Sequence, residues 1–309
     1  MRFMMFSKSL QSMSVLEAGQ VVKSLGFDGI ELTVRPKGHV LPENVREDLP
    51  RALDQLRGIG LDVATIVTEV HSTADPLAHD VCATAARAGV RLLRTSARRY
   101  KPFGSIRAQI AEARREAAEL EALGREYGVM LCIQTHSGEM LSANAGILDQ
   151  ILAGTDPRYV GVGLSPGHLV LEGSAMGWMQ SLDLFQDRIG MVDAKSYAWF
   201  KEPDAASGET TWVYKKVPLE DGSVRWRVVF NLLRQVGWDA DGQAVVALGC
   251  EYEGGSWRNL SVPELIDQSR EDLAYIRRQA ELAMLPNQSA LAKKSKNAKE
   301  AKQAEPVPA

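Results

Sequence analysis

The residues best suited to chemistry follow apolar runs of the chain. The clearest run is 129–133, five side chains that suit burial, and Gln134, Thr135, His136 and Ser137 come directly after it. A buried strand that turns polar only at its end is typical of parallel α/β sheets, because their ligand sites gather at the carboxyl ends of the strands. Taken alone, the stretch fits equally well a strand followed by an ordinary turn, with His136 bonded to a backbone carbonyl.

Polar side chains also follow the other apolar runs. In chain order these positions are Glu31, Arg35, His39, Glu69, His71, Arg94, Gln134, His136, Ser165, His168, Asp193, Lys195, Glu251 and Glu253. They include four of the five histidines, which favours one shared site over several separate structural histidines. Carboxylates and imidazoles can hold a divalent cation that polarises a carbonyl, and a carboxylate with a raised pKa can remove the neighbouring proton. Cations such as Lys195 and Arg35 stabilise the negative charge that develops.

The strands that precede these side chains must position them. Apolar runs that predict strands alternate with helical patterns and cover 2–6, 29–34, 62–68, 90–95, 129–133, 159–164, 189–194 and 244–251. Eight strands, each followed by a helix, predict an α/β protein with a single-domain (β/α)8 TIM barrel over residues 1–286. Neither a Gly-x-Gly-x-x-Gly nor a phosphate-loop pattern occurs, so no nucleotide cofactor is expected.

Three helices have clear sequence signals. Residues 105–127 keep apolar side chains at three- and four-residue spacing, and Gly128 supplies the stop. Asp75 and Pro76 predict the N-cap and first turn of a helix that reaches Ala88. The Ser261–Glu264 spacing is that of a capping box and predicts a last helix from there to about residue 282.

The connection after the seventh predicted strand is too long for an ordinary loop. About thirty residues separate Lys195 from the next predicted helix, and they contain Trp199, Phe200, Trp212 and Tyr214. Aromatic side chains on a long loop over the barrel mouth can stack on a sugar ring or contact a second subunit, which would make a homodimer. The alternative is an inserted hairpin that packs against its own barrel.

The composition argues against several classes of protein. The net charge of −3 gives no basis for binding nucleic acid or an anionic membrane, and no apolar run approaches the ~20 residues that span a bilayer. Cys82, Cys132 and Cys250 lie in apolar surroundings, as buried thiols of a reducing compartment do, so we expect a cytoplasmic protein. Residues 287–309 are rich in lysine and alanine without apolar periodicity, which predicts a disordered tail.

Several motifs are similar to those of a known family. GFDGIELTVRPKGHVLPENV, IQTHSG, SPGH, VDAKSYAW, VPLEDGSVRW and CEYEGG occur in this order. Together they resemble the sugar phosphate isomerase/epimerase proteins of the xylose-isomerase-like TIM barrel group, over residues 2–284. The resemblance implies a barrel that binds a divalent metal, commonly manganese, at the ends of strands five to eight. It also implies isomerisation or epimerisation of a carbohydrate by proton transfer next to a carbonyl.

The chain departs from the family pattern where the metal would bind. Gln134 stands where many members have Glu, Ser165 replaces the usual Asp of the sixth strand, and Asp193 takes the place of a histidine. Because Gln134 is neutral, the paired-carboxylate mechanism does not carry over unchanged. Asp193, Glu251 and Gln134 remain candidate ligands for Mn, Mg or Zn. Candidate catalytic residues are Glu251, His136 and Lys195, and candidate substrate-binding residues are Glu31, Arg35, His39, Gln134, His168 and Trp199.

Three interpretations remain open. The first is an isomerase or epimerase, or a keto-sugar lyase acting by β-elimination through the same enediolate, with or without a divalent metal. The second, suggested by Gln134 and Ser165, is a barrel that has lost metal and catalysis and serves as a sugar-binding or partner subunit. The third is a metal-dependent endonuclease acting on abasic DNA, and the acidic net charge counts against it.

Overall fold

Eight parallel strands close into a barrel, as the alternating sequence pattern predicts. The computed structural model describes residues 1–95, 98–173, 176–204 and 206–285. Its strands are β1 (Arg2–Phe6), β2 (Gly29–Thr33), β3 (Thr65–Thr68), β4 (Leu92–Thr95), β5 (Met130–Gln134), β6 (Val160–Leu164), β7 (Ile189–Ala194), β8 (Ser196–Pro203), β9 (Thr210–Val217) and β10 (Val245–Leu248). The barrel order is β1-β10-β7-β6-β5-β4-β3-β2 with parallel neighbours throughout, so β10 is its eighth strand.

Helices surround the barrel and bury its outer face. They are α1 (Val15–Ser24), α2 (Val45–Gly58), α3 (Ala78–Arg87), α4 (Ile106–Tyr127), α5 (Ala145–Leu152), α6 (Pro166–Gly173), α7 (Gly177–Leu184), α8 (Trp226–Gln235) and α9 (Val262–Met284). Inside the barrel, near the start of the strands, Met4, Met191, Val245 and Ala247 form a separate buried apolar cluster. Because apolar side chains fill that end, the polar residues that follow the strands are left to form the opposite mouth.

Two of the three helix signals are confirmed and one is wrong. Gly128 ends α4 in the left-handed conformation at φ 63°, and Ser261 and Glu264 form the capping box of α9. Helix α3, by contrast, begins at Ala78 and not at the predicted Asp75 N-cap. The Asp75 carboxylate instead accepts hydrogen bonds from the backbone N–H groups of His71 and Ser72, so it closes the loop after β3. Asp75 is therefore already engaged one turn before the helix starts.

The long insertion after the seventh strand is a β-hairpin. Strands β8 and β9 pair antiparallel over their whole length, from Ser196 opposite Val217 to Pro203 opposite Thr210. Tyr197, at the base of the hairpin, is buried, whereas Trp199 and Trp212, farther out, are exposed. The base of the hairpin thus packs on its own barrel, whereas the tryptophans farther along its two strands are exposed to solvent.

Two further predictions concern the C-terminal tail and the absence of a membrane-spanning segment. The tail predicted over 287–309 lies outside the described residues. None of the helices in the described part of the chain is both long enough and apolar enough to cross a membrane.

Candidate active site

Several of the strand-end residues line one cavity of about 340 Å³ at the barrel mouth, whereas Glu69 and His71 line a neighbouring cavity. This volume lies at the lower end of the range for small-molecule sites, which is roughly 300–1,000 Å³. The polar side chains of its lining include Lys8, Arg35, Arg94, Gln134, His136, Ser137, His168, Lys195, Tyr197, Tyr214, Lys216 and Glu251. The convergence follows from topology, because parallel strands of a closed barrel all end at the same mouth.

Arg94, from β4, is buried at the floor of the cavity. Its guanidinium donates to Glu31 Oε2 at 2.8 Å and to Gln134 Oε1 at 3.0 Å, and it lies 4.4 Å from the centre of the Phe6 ring. Burial raises the pKa of the Glu31 carboxyl to about 7, because desolvation outweighs the attraction of Arg94. Glu31 lies behind Arg94 and is absent from the lining, so its contact with a ligand would be made through Arg94.

Asp193 is the acceptor on which several floor residues converge. Its Oδ2 atom accepts hydrogen bonds from Gln134 Nε2 and Ser165 Oγ, each at 2.8 Å. Lys195 Nζ lies 3.4 Å from the same oxygen, and Arg94 approaches Oδ1 at 3.7 Å. Asp193 and Lys195 are two residues apart at the end of β7, a spacing that places both side chains on the same side of a strand. Asp193 is fully buried, so it holds other side chains in place beneath the cavity.

Three lysines surround the Glu251 carboxylate. Lys195 Nζ lies 2.9 Å from Oε2 and Lys216 Nζ lies 3.2 Å from the same atom, while Lys8 donates to Oε1. Burial alone raises the pKa of the Glu251 carboxyl, but the three ammonium groups outweigh it and hold the pKa well below its usual range. Glu251 is therefore ionised and a weak base, which does not suit a residue that has to accept a proton.

His136 and His168 form a stacked pair on the wall of the cavity. Their ring centres are 4.0 Å apart, and the planes are inclined by 26°. His136 Nδ1 is bonded to the Ser137 carbonyl at 2.8 Å, whereas His168 Nδ1 is bonded to Ser137 Oγ at 2.8 Å and its ring packs on Tyr197. Burial lowers the pKa of His136 below its usual value and that of His168 well below it. Both rings are consequently neutral at neutral pH.

Two residues predicted to bind substrate lie away from the cavity. The ring nitrogens of His39 bond to Thr33 Oγ1 at 3.1 Å and to the Leu10 carbonyl at 3.2 Å, which is the contact pattern of a structural histidine. Trp199 is 48% exposed on the hairpin and packs edge-on against Tyr214, with ring centres 5.5 Å apart. Tyr214, and not Trp199, lines the cavity.

The structure also brings residues to the site that the sequence reasoning did not select. Lys8 comes two residues after the end of β1 and lines the cavity. Its position after the first strand is therefore a sequence signal that could have identified it. Lys216 and Tyr197 come from the hairpin, and only its pairing register shows which of its side chains turn toward the cavity. No sequence signal distinguishes Lys216 from its neighbour Lys215.

The sequence as a whole matches one protein family. A sequence model of that family, described as xylose isomerase-like TIM barrel, matches residues 20–279. The chain belongs to the xylose isomerase-like TIM barrel family. The match covers most of the chain and confirms the resemblance seen in the sequence motifs. No curated protein matches the chain in sequence.

Solved structures of this family have the same fold. A 3-keto-D-glucoside 4-epimerase from E. coli matches with a TM-score of 0.63 and 14% identity, covering 90% of this chain and 99% of that chain. A probable 3-DHS dehydratase from Bacillus anthracis matches with a TM-score of 0.64 and 18% identity, covering 89% and 99%. A Mycobacterium smegmatis protein in complex with magnesium has a TM-score of 0.64 and 14% identity, covering 92% and 98%.

The donor set of this chain does not suit the divalent metal that the motif resemblance implies. Of the four candidate positions, Gln134 and Ser165 are neutral and both donate hydrogen bonds to Asp193, so that carboxylate is already engaged. The Lys195 ammonium lies between the remaining two carboxylates, within 3.4 Å of Asp193 and 2.9 Å of Glu251. Within the described ranges, His, Cys, Asp and Glu side chains form no group of three or more that could hold a metal ion. A fixed ammonium within 3.4 Å of both carboxylates opposes the binding of a second cation between them.

Proposed function

We propose that this protein moves a proton next to the carbonyl of a sugar or keto-sugar, through an enediolate, without a divalent metal. The observation that carries the proposal is the placement of a neutral imidazole, His136, and a buried ammonium, Lys195, in the lining of one cavity. The imidazole is a proton acceptor, and the ammonium stabilises the negative charge that forms when the proton leaves.

His136 has the tautomer that a general base needs. The Ser137 carbonyl oxygen only accepts hydrogen bonds, so the Nδ1 atom bonded to it carries the ring proton. The lone pair is then on Nε2, and no described residue hydrogen-bonds to this atom. Stacking on His168 and the Ser137 contact fix the plane of the ring, which orients Nε2. Glu251, the other candidate for proton transfer in the sequence analysis, is the weaker base of the two because of its lysines.

Lys195 and Arg94 are suited to hold the carbonyl oxygen. Burial alone disfavours the Lys195 charge, but Asp193 and Glu251 outweigh it and keep the pKa of this ammonium above its ordinary value. Arg94 is charged as well and forms an ion pair with Glu31. The two cations are held in place before substrate binds, so little reorganisation is needed when the oxygen becomes negative.

The chemistry then follows in balanced steps. His136 Nε2 takes the proton from the carbon next to the carbonyl, and the C–H electron pair forms the carbon–carbon double bond of the enediolate while the carbonyl oxygen becomes negative. Transfer of the hydroxyl proton on the neighbouring carbon to the former carbonyl oxygen, with return of the abstracted proton from His136 to the former carbonyl carbon, gives the isomer. Delivery of a proton from water to the opposite face of the original carbon, while the carbonyl re-forms and the His136 proton passes to solvent, gives the epimer. Loss of a β-hydroxyl group as water, with the His136 proton transferred to the leaving oxygen while the carbonyl re-forms, gives an unsaturated product. The epimerase and dehydratase named above support this range of outcomes.

Proton exchange with solvent tests the proposal directly. The protein would be incubated in D2O with a panel of ketoses, aldoses and keto-sugars, and deuterium at the carbon next to the carbonyl would be followed by NMR. We expect exchange with at least one compound, and a loss of about 10²–10³-fold in Lys195→Met. Lys195→Arg, which keeps the charge, serves as a folding control.

The opposite result would favour a binding barrel. If compounds of the panel bind the wild-type protein in calorimetry but none of them exchanges a proton, the proposed catalysis is contradicted. This result would support the sugar-binding interpretation that Gln134 and Ser165 suggest.

A further inference from the structure

The cavity carries more positive charge than its carboxylates neutralise. Five cationic side chains line it, Lys8, Arg35, Arg94, Lys195 and Lys216, and Glu251 is the acidic member of the lining. Glu31 and Asp193 are buried behind the cavity. When their carboxylates are counted with Glu251 as fully ionised, the five cations still exceed the three carboxylates by two charges. This excess is local, since the whole chain has a net charge of −3.

The unmatched charges lie at the rim and not at the floor. Arg94 and Lys195 are matched by Glu31, Asp193 and Glu251. Among the described residues, Glu251 is the carboxylate with which Lys8 and Lys216 form ion pairs. Lys195 forms an ion pair with the same carboxylate.

Arg35 provides a third rim cation. It faces the Phe6 ring at 5.8 Å and makes no ion pair with a described residue.

The surroundings of Lys216 differ from those of Lys215, its neighbour on the other face of the hairpin. Lys215, the neighbour of Lys216, has its own partner in Glu202, and its side chain is 26% exposed. Lys216 is 24% exposed but faces two other ammonium groups across one carboxylate. Like charges brought together in a cavity destabilise the empty site, and an added anion relieves the repulsion.

We infer that the substrate carries an anionic group, a carboxylate or a phosphate, which binds among Lys8, Lys216 and Arg35 at the rim. The inference rests on the proposed function and specifies its substrate class as an acidic hydroxy-carbonyl compound. The anionic group takes the charge that Glu251 leaves unmatched, while the carbonyl reaches Lys195 and Arg94 at the floor. Charge-assisted hydrogen bonds from lysine and arginine are about twice as strong as neutral ones, so they favour an acid over a neutral sugar.

Binding measurements with matched probes test the substrate class without requiring turnover. D-glucuronate and D-fructose 6-phosphate would be compared with D-glucose and D-fructose by calorimetry, up to about 10 mM, which is above the usual range of KM. We expect at least one acid to bind about tenfold or more tightly than its neutral counterpart, and the binding to weaken as salt is added. Preference for glucuronate or for the phosphate ester identifies the anion. Inorganic phosphate alone shows whether the anionic group suffices.

Variants of two adjacent lysines provide the matched control. Lys216→Met should weaken binding of the preferred acid about tenfold, and Lys216→Arg should retain it. Lys215→Met, on the other face of the same hairpin, should leave the Kd unchanged. Circular dichroism would check that each variant is folded.

Equal binding of acids and neutral sugars, or no binding of any of the four, overturns the inference. So does a folded Lys216→Met variant with an unchanged Kd for the acid. The proposed function fails separately: acids that bind through Lys216 but never exchange a proton contradict the catalysis and leave the anion subsite standing. Conversely, a neutral keto-sugar that exchanges equally in wild type and Lys216→Met supports the catalysis and removes the subsite.

Discussion

Lys195 and Glu251 form an ion pair at the barrel mouth in which Nζ lies 2.9 Å from Oε2 and both side chains are more than nine-tenths buried. Space for the lysine comes from Gly249, where an added Cβ would lie 2.8 Å from both Cγ and Cε of Lys195. The pair places a positive charge against the carboxylate that follows the eighth strand of the barrel.

The first prediction concerns metal binding. Wild-type protein should bind no stoichiometric Mn²⁺ in calorimetry, because Lys195 opposes a second cation beside Asp193 and Glu251. The triple variant Gln134→Glu/Ser165→Asp/Lys195→Ala collects four carboxylates without the ammonium and should bind Mn²⁺. At 100-fold excess over Kd, the metal should stabilise the triple variant by about 2.7 kcal/mol.

The double variant Gln134→Glu/Ser165→Asp, which keeps Lys195, is the matched control and should bind much more weakly. One Mn²⁺ per wild-type chain, lost in Glu251→Gln, would contradict the replacement of the metal by Lys195. The readout is binding and thermal stability, so it does not depend on a known substrate.

The second prediction separates the candidate base from a structural histidine. His136→Gln removes the Nε2 lone pair and should lower proton exchange about 10²–10⁴-fold, with little loss of stability. His39→Gln should do the reverse, because His39 bonds to Thr33 and Leu10 within the fold. Its loss should cost about 1–3 kcal/mol in urea unfolding while exchange per folded molecule persists. If His136→Gln exchanges at the wild-type rate, another group is the base.

The third prediction is a pH dependence of stability that originates at Glu31. Its pKa is raised from 4.5 to about 7 in the folded protein, mainly by burial, so between these values the folded state binds more protons than the unfolded state. Its contribution to stability is therefore complete below pH 4.5 and is lost as the pH rises through 7. Urea unfolding of wild type and Glu31→Gln should show wild type losing stability relative to the variant over that range.

If the stability difference between wild type and Glu31→Gln changes with pH in the opposite direction, attraction by Arg94 outweighs burial in setting the pKa of Glu31. In that case wild type would gain stability over Glu31→Gln as the pH rises, as in an ordinary ion pair with a lowered carboxyl pKa. The comparison of the two proteins cancels the titration of groups that both share.

The fourth prediction tests the space around Lys195. Gly249→Ala should push the lysine side chain aside, at a cost of about 1–3 kcal/mol for overpacking, and should slow proton exchange by displacing Nζ from Asp193 and Glu251. Gly163→Ala is the control, because its added Cβ would meet its nearest neighbour, Gln134, at 3.5 Å. Equal exchange rates in the two variants would show that the position of Nζ is not critical.

Much of the architecture was accessible from the sequence for a general reason. Strands buried on both faces appear as continuous apolar runs, and a closed parallel barrel brings all their carboxyl ends to one mouth. The grouping of Gln134, His168, Asp193, Lys195 and Glu251 could therefore be predicted from their positions after the runs, without knowledge of a single distance. The sequence also determined that two strand-end positions carry no charge, since Gln134 and Ser165 are neutral whatever their geometry.

Only the tertiary structure decided which way individual side chains turn. His39 follows β2 and Arg94 lies near the end of β4, but the His39 ring turns to the Leu10 carbonyl whereas the Arg94 guanidinium turns to Glu31 and Gln134. Lys215 and Lys216 are identical in sequence terms, and the pairing of the hairpin sends one to Glu202 and the other to Glu251. Strand position is encoded locally by apolar periodicity. The direction of a long polar side chain is set by partners distant in the chain, and these meet only when the barrel closes.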